Sequence, residues 1–274
     1  MTASTGQPAA PGPREHLLTG RALITGGTSG IGLSFAHALA ARGCDLVLVA
    51  RDAARLTRTA DQLRWRYGVA VEALPADLSR RDGTDAVAAR LTDPGAAVDI
   101  LVNNAGRGLH TSLLAPDVRD HDEAIDLMVR AVLVLGGAAA RAMRARGHGL
   151  VINVASVQAL VTMGAYSALK SWTLAYSEAL ALELAGTDVQ VTTLLPGWVR
   201  TGFQERAGAD AGRLPGPLWL EPDRVVAECL ADVARGKDRS IPSRRYKVLA
   251  FLAVHAPRPV VRAVVTRIVR ARKG

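Results

Sequence analysis

The strongest constraint on this chain is an alternation of short apolar runs with helical patterns along most of its length. Apolar runs at 22–24, 45–50, 69–74, 98–102, 150–154 and 189–195 read as strands. Helical periodicity fills the spaces between them, at about 33–42, 53–67, 83–91, 121–146 and 166–184. The run 45–50 is continuously apolar in its middle, as a strand buried on both faces must be. Six or seven strands alternating with helices specify a doubly wound α/β fold. The sheet is expected to be parallel, with about seven strands and helices on both faces. No internal repeat or linker divides the chain, so one domain is expected. Residues 202–220 carry Gly and Pro and read as a flexible loop with short helices. Helix and strand patterns resume after Pro222.

The first strand runs straight into Thr25-Gly26-Gly27-Thr28-Ser29-Gly30-Ile31-Gly32, and a helix follows. In that context a Gly-rich turn lets the backbone approach a pyrophosphate, while the helix N-terminus offers free amides and a favourable dipole. The spacing, Gly26-x-x-x-Gly30-x-Gly32, differs from the G-x-G-x-x-G of many dinucleotide folds. At the end of the second strand a carboxylate would bind the ribose hydroxyls of NAD, whereas an arginine accepts the 2′-phosphate of NADP. Arg51 directly follows Ala50, so NADP(H) is the expected cofactor. Asp52 comes next and can hold a ribose hydroxyl, which leaves NAD as the lesser alternative.

Bulk properties exclude some classes. The chain has 274 residues, 49% of them apolar and 4% aromatic, so its core must be mostly Ala, Val and Leu. The net charge is +9, with much of the excess on predicted helices and near the C-terminus. Such charge solvates helix faces or meets an anionic partner. Without interleaved aromatics or a binding motif, no nucleic-acid partner is expected. Cys44 and Cys229 have no metal-ligand spacing and read as reduced core residues of a cytoplasmic protein, with no metal site. Residues 1–18 form an expected disordered tail, and residues 19–256 the folded domain. No apolar run approaches the roughly 18 residues of a membrane span.

Five motifs then occur in order: Thr25-Gly26-x-x-x-Gly30-Ile31-Gly32, Asp77-Leu78, Asn103-Asn104-Ala105-Gly106, Tyr166-x-x-x-Lys170 and Pro196-Gly197. With these the chain resembles the short-chain dehydrogenase/reductase family, of the compact single-domain, Rossmann-type kind, over about residues 19–245. The resemblance implies that Thr28, Ser29 and Ile31 join the glycines around the cofactor. It implies that Asp77 holds the adenine amino group, with Leu78 packed nearby. Asn104, Ala105 and Gly106 would line the adenosine ribose side, while Asn103 braces the sheet. Pro196-Gly197-Trp198-Val199-Arg200-Thr201 resembles the segment that holds the nicotinamide. There the Val199 backbone and Thr201 hydroxyl would bind the carboxamide. Thr201 could alternatively cap a following helix.

The resemblance also gives the chemistry, the interconversion of a ketone and a secondary alcohol. The cofactor handles the hydride, and a protein acid must supply the proton. Phenol is a weak acid, with a free pKa of about 10. Tyr166 and Lys170 stand i and i+4 on one predicted helix and share a face. Lys170 is therefore expected to lower the Tyr166 pKa. Ser156 occupies the family's strand-end serine position and would polarise the carbonyl, or could simply bond its own turn. Two departures stand out. The stretch from Ser156 to Tyr166 is about three residues shorter than usual in the family, so either the loop is tighter or another residue takes the serine's role. Met128 falls where the family places an asparagine of the proton relay, and a thioether cannot replace it.

The substrate is expected among 104–112, 157–165 and the 198–220 loop. These segments offer Leu109, Leu113, Leu160, Met163, Trp198, Phe203, Leu214, Leu218 and Trp219, which point to a lipophilic carbonyl or alcohol. His110 and His121 read as nearby surface residues. Residues 257–274 form an amphipathic basic helix, docked on the body or a partner subunit, or lying on an anionic membrane. The resemblance implies a homodimer or homotetramer. Two other readings remain: a non-catalytic NADP-binding sensor or structural subunit, and an epimerase or dehydratase on the same fold.

Overall fold

The computed structural model describes residues 14–201 and 216–271. Seven parallel strands form the main sheet: β1 (Arg21–Thr25), β2 (Asp45–Ala50), β3 (Val71–Pro75), β4 (Ile100–Asn103), β5 (His148–Val154), β6 (Asp188–Leu194) and β9 (Arg239–Ser240). Their spatial order is β3-β2-β1-β4-β5-β6-β9. A separate parallel pair joins β7 (Trp198–Val199) to β8 (Trp219–Leu220). The helices are α1 (Gly30–Ala40), α2 (Ala53–Tyr67), α3 (Arg81–Thr92), α4 (Arg119–Ile125), α5 (Ala131–Arg146), α6 (Ala165–Glu183), α7 (Pro222–Ala234), α8 (Arg244–His255) and α9 (Arg258–Ala271).

The period-two geometry of a strand divides its side chains between two cores. Ala22, Ile24, Leu46, Leu48, Ile100, Val102, Leu150 and Ile152 face one layer, with Phe35 and Leu39 of α1, Leu56 of α2 and Val226 of α7. Leu23, Val47, Val49, Leu101 and Val151 face the other, with Val87 of α3, Leu135 and Met143 of α5 and Leu180 of α6. This explains why strand sequences such as Leu46-Val47-Leu48-Val49 are apolar without alternation.

Three boundaries differ from the sequence reading. The expected tail 1–18 is ordered at its end: Glu15–Leu18 forms a 3-10 turn, with Leu17 and Leu18 buried in the core. Leu18 also offers its carbonyl to the Cys44 thiol at 3.3 Å. The long helix expected over 121–146 begins at Arg119 and is interrupted by a π turn over Asp126–Arg130. A π turn widens the helix and redirects the residues around it, here Met128. Helix α1 begins at Gly30, earlier than the apolar pattern from Leu33, because the first turn is Gly-rich and carries no hydrophobic signal.

Chain direction reverses its spread across the sheet between β1 and β4, and a crevice opens at the carboxyl ends of these strands. Thr25 holds that crevice together. Its buried hydroxyl accepts the Asn104 and Ala105 amides, each at 2.9 Å, and donates to the Val102 carbonyl at 3.3 Å. Thr25→Val keeps the shape but leaves two amides without an acceptor. It is expected to cost about 2–3 kcal/mol in urea unfolding, far more than an exposed Thr→Val change.

Candidate active site

The turn 26–32 is shaped by its glycines. Gly26 and Gly30 adopt φ of +68° and +52°, conformations that other residues strain to reach. A Cβ at Gly32 would overlap the Gly26 carbonyl and the Asn104 side chain. Asn104 lines the crevice and anchors this loop: its Nδ2 donates to the Thr25 carbonyl at 2.9 Å. The loop thus closes on itself with bare backbone facing the crevice and α1 starting at Gly30. A pyrophosphate fits this cradle.

The residues expected around adenosine lie beyond this cradle. Arg51 is exposed at the end of β2. Asp52 caps α2, accepting the Arg55 amide at 2.9 Å. The Asp77 Oδ1 accepts the Ser79 amide at 3.0 Å and hydroxyl at 2.7 Å. Burial alone would raise the Asp77 pKa, but these bonds and the charges of Arg51 and Arg80 bring it below the usual carboxylate value. Arg51 and Asp77 therefore feel each other across the ends of β2 and β3. Leu78 is buried behind them, and Thr28 is half-buried.

The remaining expected residues meet in one cleft of about 230 Å³. Its walls come from the glycine turn (Gly26, Ser29, Gly30, Ile31), the end of β4 (Asn104–Gly106), the end of β5, α6 and the segment 196–201. Ser156 stands just past β5. Its Oγ accepts the Gln158 amide at 3.2 Å and shares a hydrogen bond with the Tyr166 phenol. The short loop is accommodated by a tight 3-10 turn over Val157–Leu160, which leaves Ser156 beside Tyr166. Of the two alternatives the shortened loop raised, the structure adopts the tighter turn.

Tyr166 lies in the first turn of α6, and Lys170 follows one turn later. Lys170 is 5% exposed; its Nζ donates to the Val154 carbonyl at 2.8 Å and lies 5.8 Å from the Tyr166 ring centre. Burial lowers its pKa to about 8. Burial likewise pushes the Tyr166 phenol above its ordinary value, and the Ser156 bond offsets this only in part. The expected lowering by Lys170 is therefore not met by the chain's own groups: desolvation raises the phenol and only the Ser156 hydrogen bond opposes it. Met128 is fully buried near this pair. A Cβ on Gly106 would lie 3.5 Å from its Sδ and 3.7 Å from Lys170 Nζ, so Met128 and Lys170 flank the same glycine.

The segment 196–201 closes the cleft. Gly197 packs so tightly on Tyr246 of α8 that a Cβ there would overlap the ring. The Tyr246 Oη accepts the Trp198 amide at 3.0 Å and donates to the Leu218 carbonyl at 2.7 Å. Sequence reading missed Tyr246, because one tyrosine on a C-terminal helix has no motif around it. Thr25 stood within the glycine motif, but its bonds to Asn104 and Ala105 cross from β1 to the end of β4, which local spacing does not reveal. Thr201 packs on Gly30 and joins the two halves of the cleft.

Among the expected substrate residues, Leu109, Met163 and Trp198 line the cleft, whereas Leu160, Leu218 and Trp219 do not. Leu113 is largely exposed and contributes nothing to it. Phe203 and Leu214 lie outside the described residues, as does any helix that Thr201 would cap. His110 is exposed at the cleft edge. His121 is half-buried, and both of its ring nitrogens are buried and lack hydrogen-bond partners among the described residues. Trp198 stacks edge-on against Trp219, 5.9 Å between ring centres, which turns Trp219 away from the cleft.

A nucleotide cradle, a Tyr-Lys pair and a strand-end serine in one crevice define a dehydrogenase or reductase of the doubly wound class. The short chain dehydrogenase family profile matches residues 21–212. The chain belongs to the short-chain dehydrogenase/reductase family and is an oxidoreductase. A granaticin polyketide synthase protein of Streptomyces violaceoruber, named as a ketoacyl reductase, is 38% identical over 68% of this chain and 70% of its own. A short-chain dehydrogenase from Sphingobium yanoikuyae, solved in complex with NADPH, superposes with a TM-score of 0.78 at 37% identity, covering 84% of this chain and 91% of that one. The bulky-bulky ketone specific alcohol dehydrogenase from Comamonas testosteroni gives a TM-score of 0.74 at 30% identity, covering 84% and 90%.

Lys170 binds fewer protons folded than unfolded between about pH 8 and the ordinary lysine value of 10.5. Stability of the free protein should therefore rise with pH from about 8 to about 10, by on the order of 2 kcal/mol. Above pH 10 the raised Tyr166 pKa acts with the opposite sign, because the folded phenol keeps a proton that the unfolded one loses. Urea melts across this range should show the rise in the natural protein and not in Lys170→Met.

Proposed function

We propose that the protein is an NADP(H)-dependent oxidoreductase that interconverts a ketone and a secondary alcohol on a lipophilic substrate, with Tyr166 as acid/base. The observation that carries this reading is the convergence of Ser156, Tyr166 and Lys170 in the cleft that also holds the glycine turn and the 196–201 segment. When bound, NADPH supplies the hydride. Ser156 holds the substrate oxygen and stabilises the charge that develops on it. Tyr166, kept protonated by burial, gives its proton to that oxygen. Lys170, held by the Val154 carbonyl, is the next group able to pass a proton inward.

Arg51 supports NADP(H) over NAD, because a guanidinium at the end of β2 can pair with a 2′-phosphate. The cofactor would rest its pyrophosphate on the glycine turn and its nicotinamide on Val199 and Thr201. Leu109, Met163 and Trp198 favour an apolar carbonyl compound. A homodimer or homotetramer built through α5 and α6, in a reducing cytoplasm, completes the proposal. Both cysteines are buried and free, and no helix among the described residues is long and apolar enough to cross a membrane.

Met128 favours a second reading, a non-catalytic NADP-binding sensor or structural subunit, since a thioether beside Lys170 relays no proton. NADPH consumption against a panel of ketones separates the two. The reductase reading expects turnover with at least one apolar ketone, and a loss of about a hundredfold or more in Tyr166→Phe. NADPH binding without turnover on any of them would support the sensor instead. Arg51→Ala should raise the KM for NADPH about tenfold or more while leaving the KM for NADH nearly unchanged.

A further inference from the structure

The charge of this chain is segregated. Residues 239–274 contain ten Lys and Arg and no Asp or Glu, while residues 1–238 contain 24 against 25. The whole positive surplus therefore resides in the segment of β9, α8 and α9. Arg239 is paired with Glu178 of α6. The others with described side chains, among them Arg244, Lys247, Arg258, Arg262 and Arg267, are exposed on the two helices.

The same helices expose apolar side chains. Helix α8 turns Tyr246 and Ala250 inward and leaves Val248, Leu249, Phe251 and Leu252 about half or more exposed, with Phe251 at 60%. On α9, Val260 and Val264 are each 54% exposed. Surface leucines and valines scattered singly mean little, but consecutive turns of them on two successive helices make a continuous apolar stretch of chain. Its cationic surroundings decide what kind of partner fits it.

We propose that α8 and α9 form a peripheral docking surface for an anionic lipid bilayer. The apolar side chains would enter the boundary between headgroups and acyl chains, and the arginines would meet the anionic headgroups. A second copy of the chain fits less well, since a two-fold contact sets the patch against itself and so cation against cation. Nucleic acid fits less well because exposed Val and Leu neither stack on bases nor bond to them. The helices lie on the surface and do not span, for neither is long and apolar enough to cross.

The patch is backed by the site. Through Tyr246 the inner side of α8 holds Gly197 and Trp198, and α8 also packs on the turn over Val157–Leu160. Both of these segments wall the cleft. The bilayer would thus be met by the helix that braces the substrate wall.

Sedimentation of the full-length protein with vesicles tests this without any turnover, so its failure is separate from failure of the reductase reading. Vesicles of phosphatidylcholine are compared with vesicles containing about 30% phosphatidylserine at about 0.1 M salt. The proposal expects partition onto the anionic vesicles at least about tenfold stronger, and its loss in about 0.5 M salt. Phe251→Ser with Leu252→Ser should weaken that partition about tenfold with NADPH affinity unchanged. If that pair does not fold, Arg262→Glu with Arg267→Glu on exposed α9 should give the same loss. Equal binding to both vesicle types, or no binding, would overturn the proposal. So would a change in oligomeric state in these variants, by sedimentation velocity, with vesicle binding unaltered: the patch would then be a contact between copies.

Discussion

The site depends on one buried hydroxyl. Thr25 ends β1 where the strand order reverses, and its Oγ1 takes the amides of Asn104 and Ala105 from the end of β4. Those amides have left the sheet ladder and would be orphaned without it. Asn104 returns the bond to the Thr25 carbonyl, so the two strand ends are tied in both directions. This seam sets the width of the crevice. It also fixes the backbone of Ala105 and Gly106, which separates the glycine turn from Met128 and Lys170. On the far side, Asn103, Asn153 and Ser177 form a buried chain of hydrogen bonds from β4 through β5 to α6. That chain ties the middle of α6, the helix that carries Tyr166 and Lys170, to β5.

Within this frame two effects compete over the phenol. Lys170 is close, but it is itself buried, and its pKa falls to about 8. A cation that is costly to keep charged gives limited help to a neighbour's anion. Desolvation then holds Tyr166 protonated, with Ser156 as its hydrogen-bond partner. A protonated phenol beside a serine hydroxyl is arranged to donate to a developing alkoxide. It is less suited to removing a proton from an alcohol unless further positive charge enters the cleft.

Much of the fold was legible because it rests on patterns the backbone enforces. The strands buried on both faces, such as 45–50, appear as unbroken apolar runs, and α2 begins and ends where Asp52 and Gly68 cap it. The cradle and the Tyr-Lys pair were legible because each needs fixed residue types at fixed spacing. Features set by long-range packing were not. Nothing near Asp126 announces a π turn. Nothing in Leu17-Leu18 distinguishes a core anchor from a tail. Tyr246 meets Gly197 only because α8 folds back across the cleft wall. The direction of the Tyr166 shift was also out of reach, since residue spacing fixes proximity but says nothing of desolvation.

The central claim is that burial, and not the Lys170 charge, sets the protonation of Tyr166 in the free protein. Tyrosinate absorbance, taken as the difference between the natural protein and Tyr166→Phe across a pH titration, reads this directly. The account expects no phenolate from Tyr166 until the pH passes about 10, the ordinary value of the group. Phenolate appearing near neutral pH in the free protein would contradict it, and would show that Lys170 dominates the site after all.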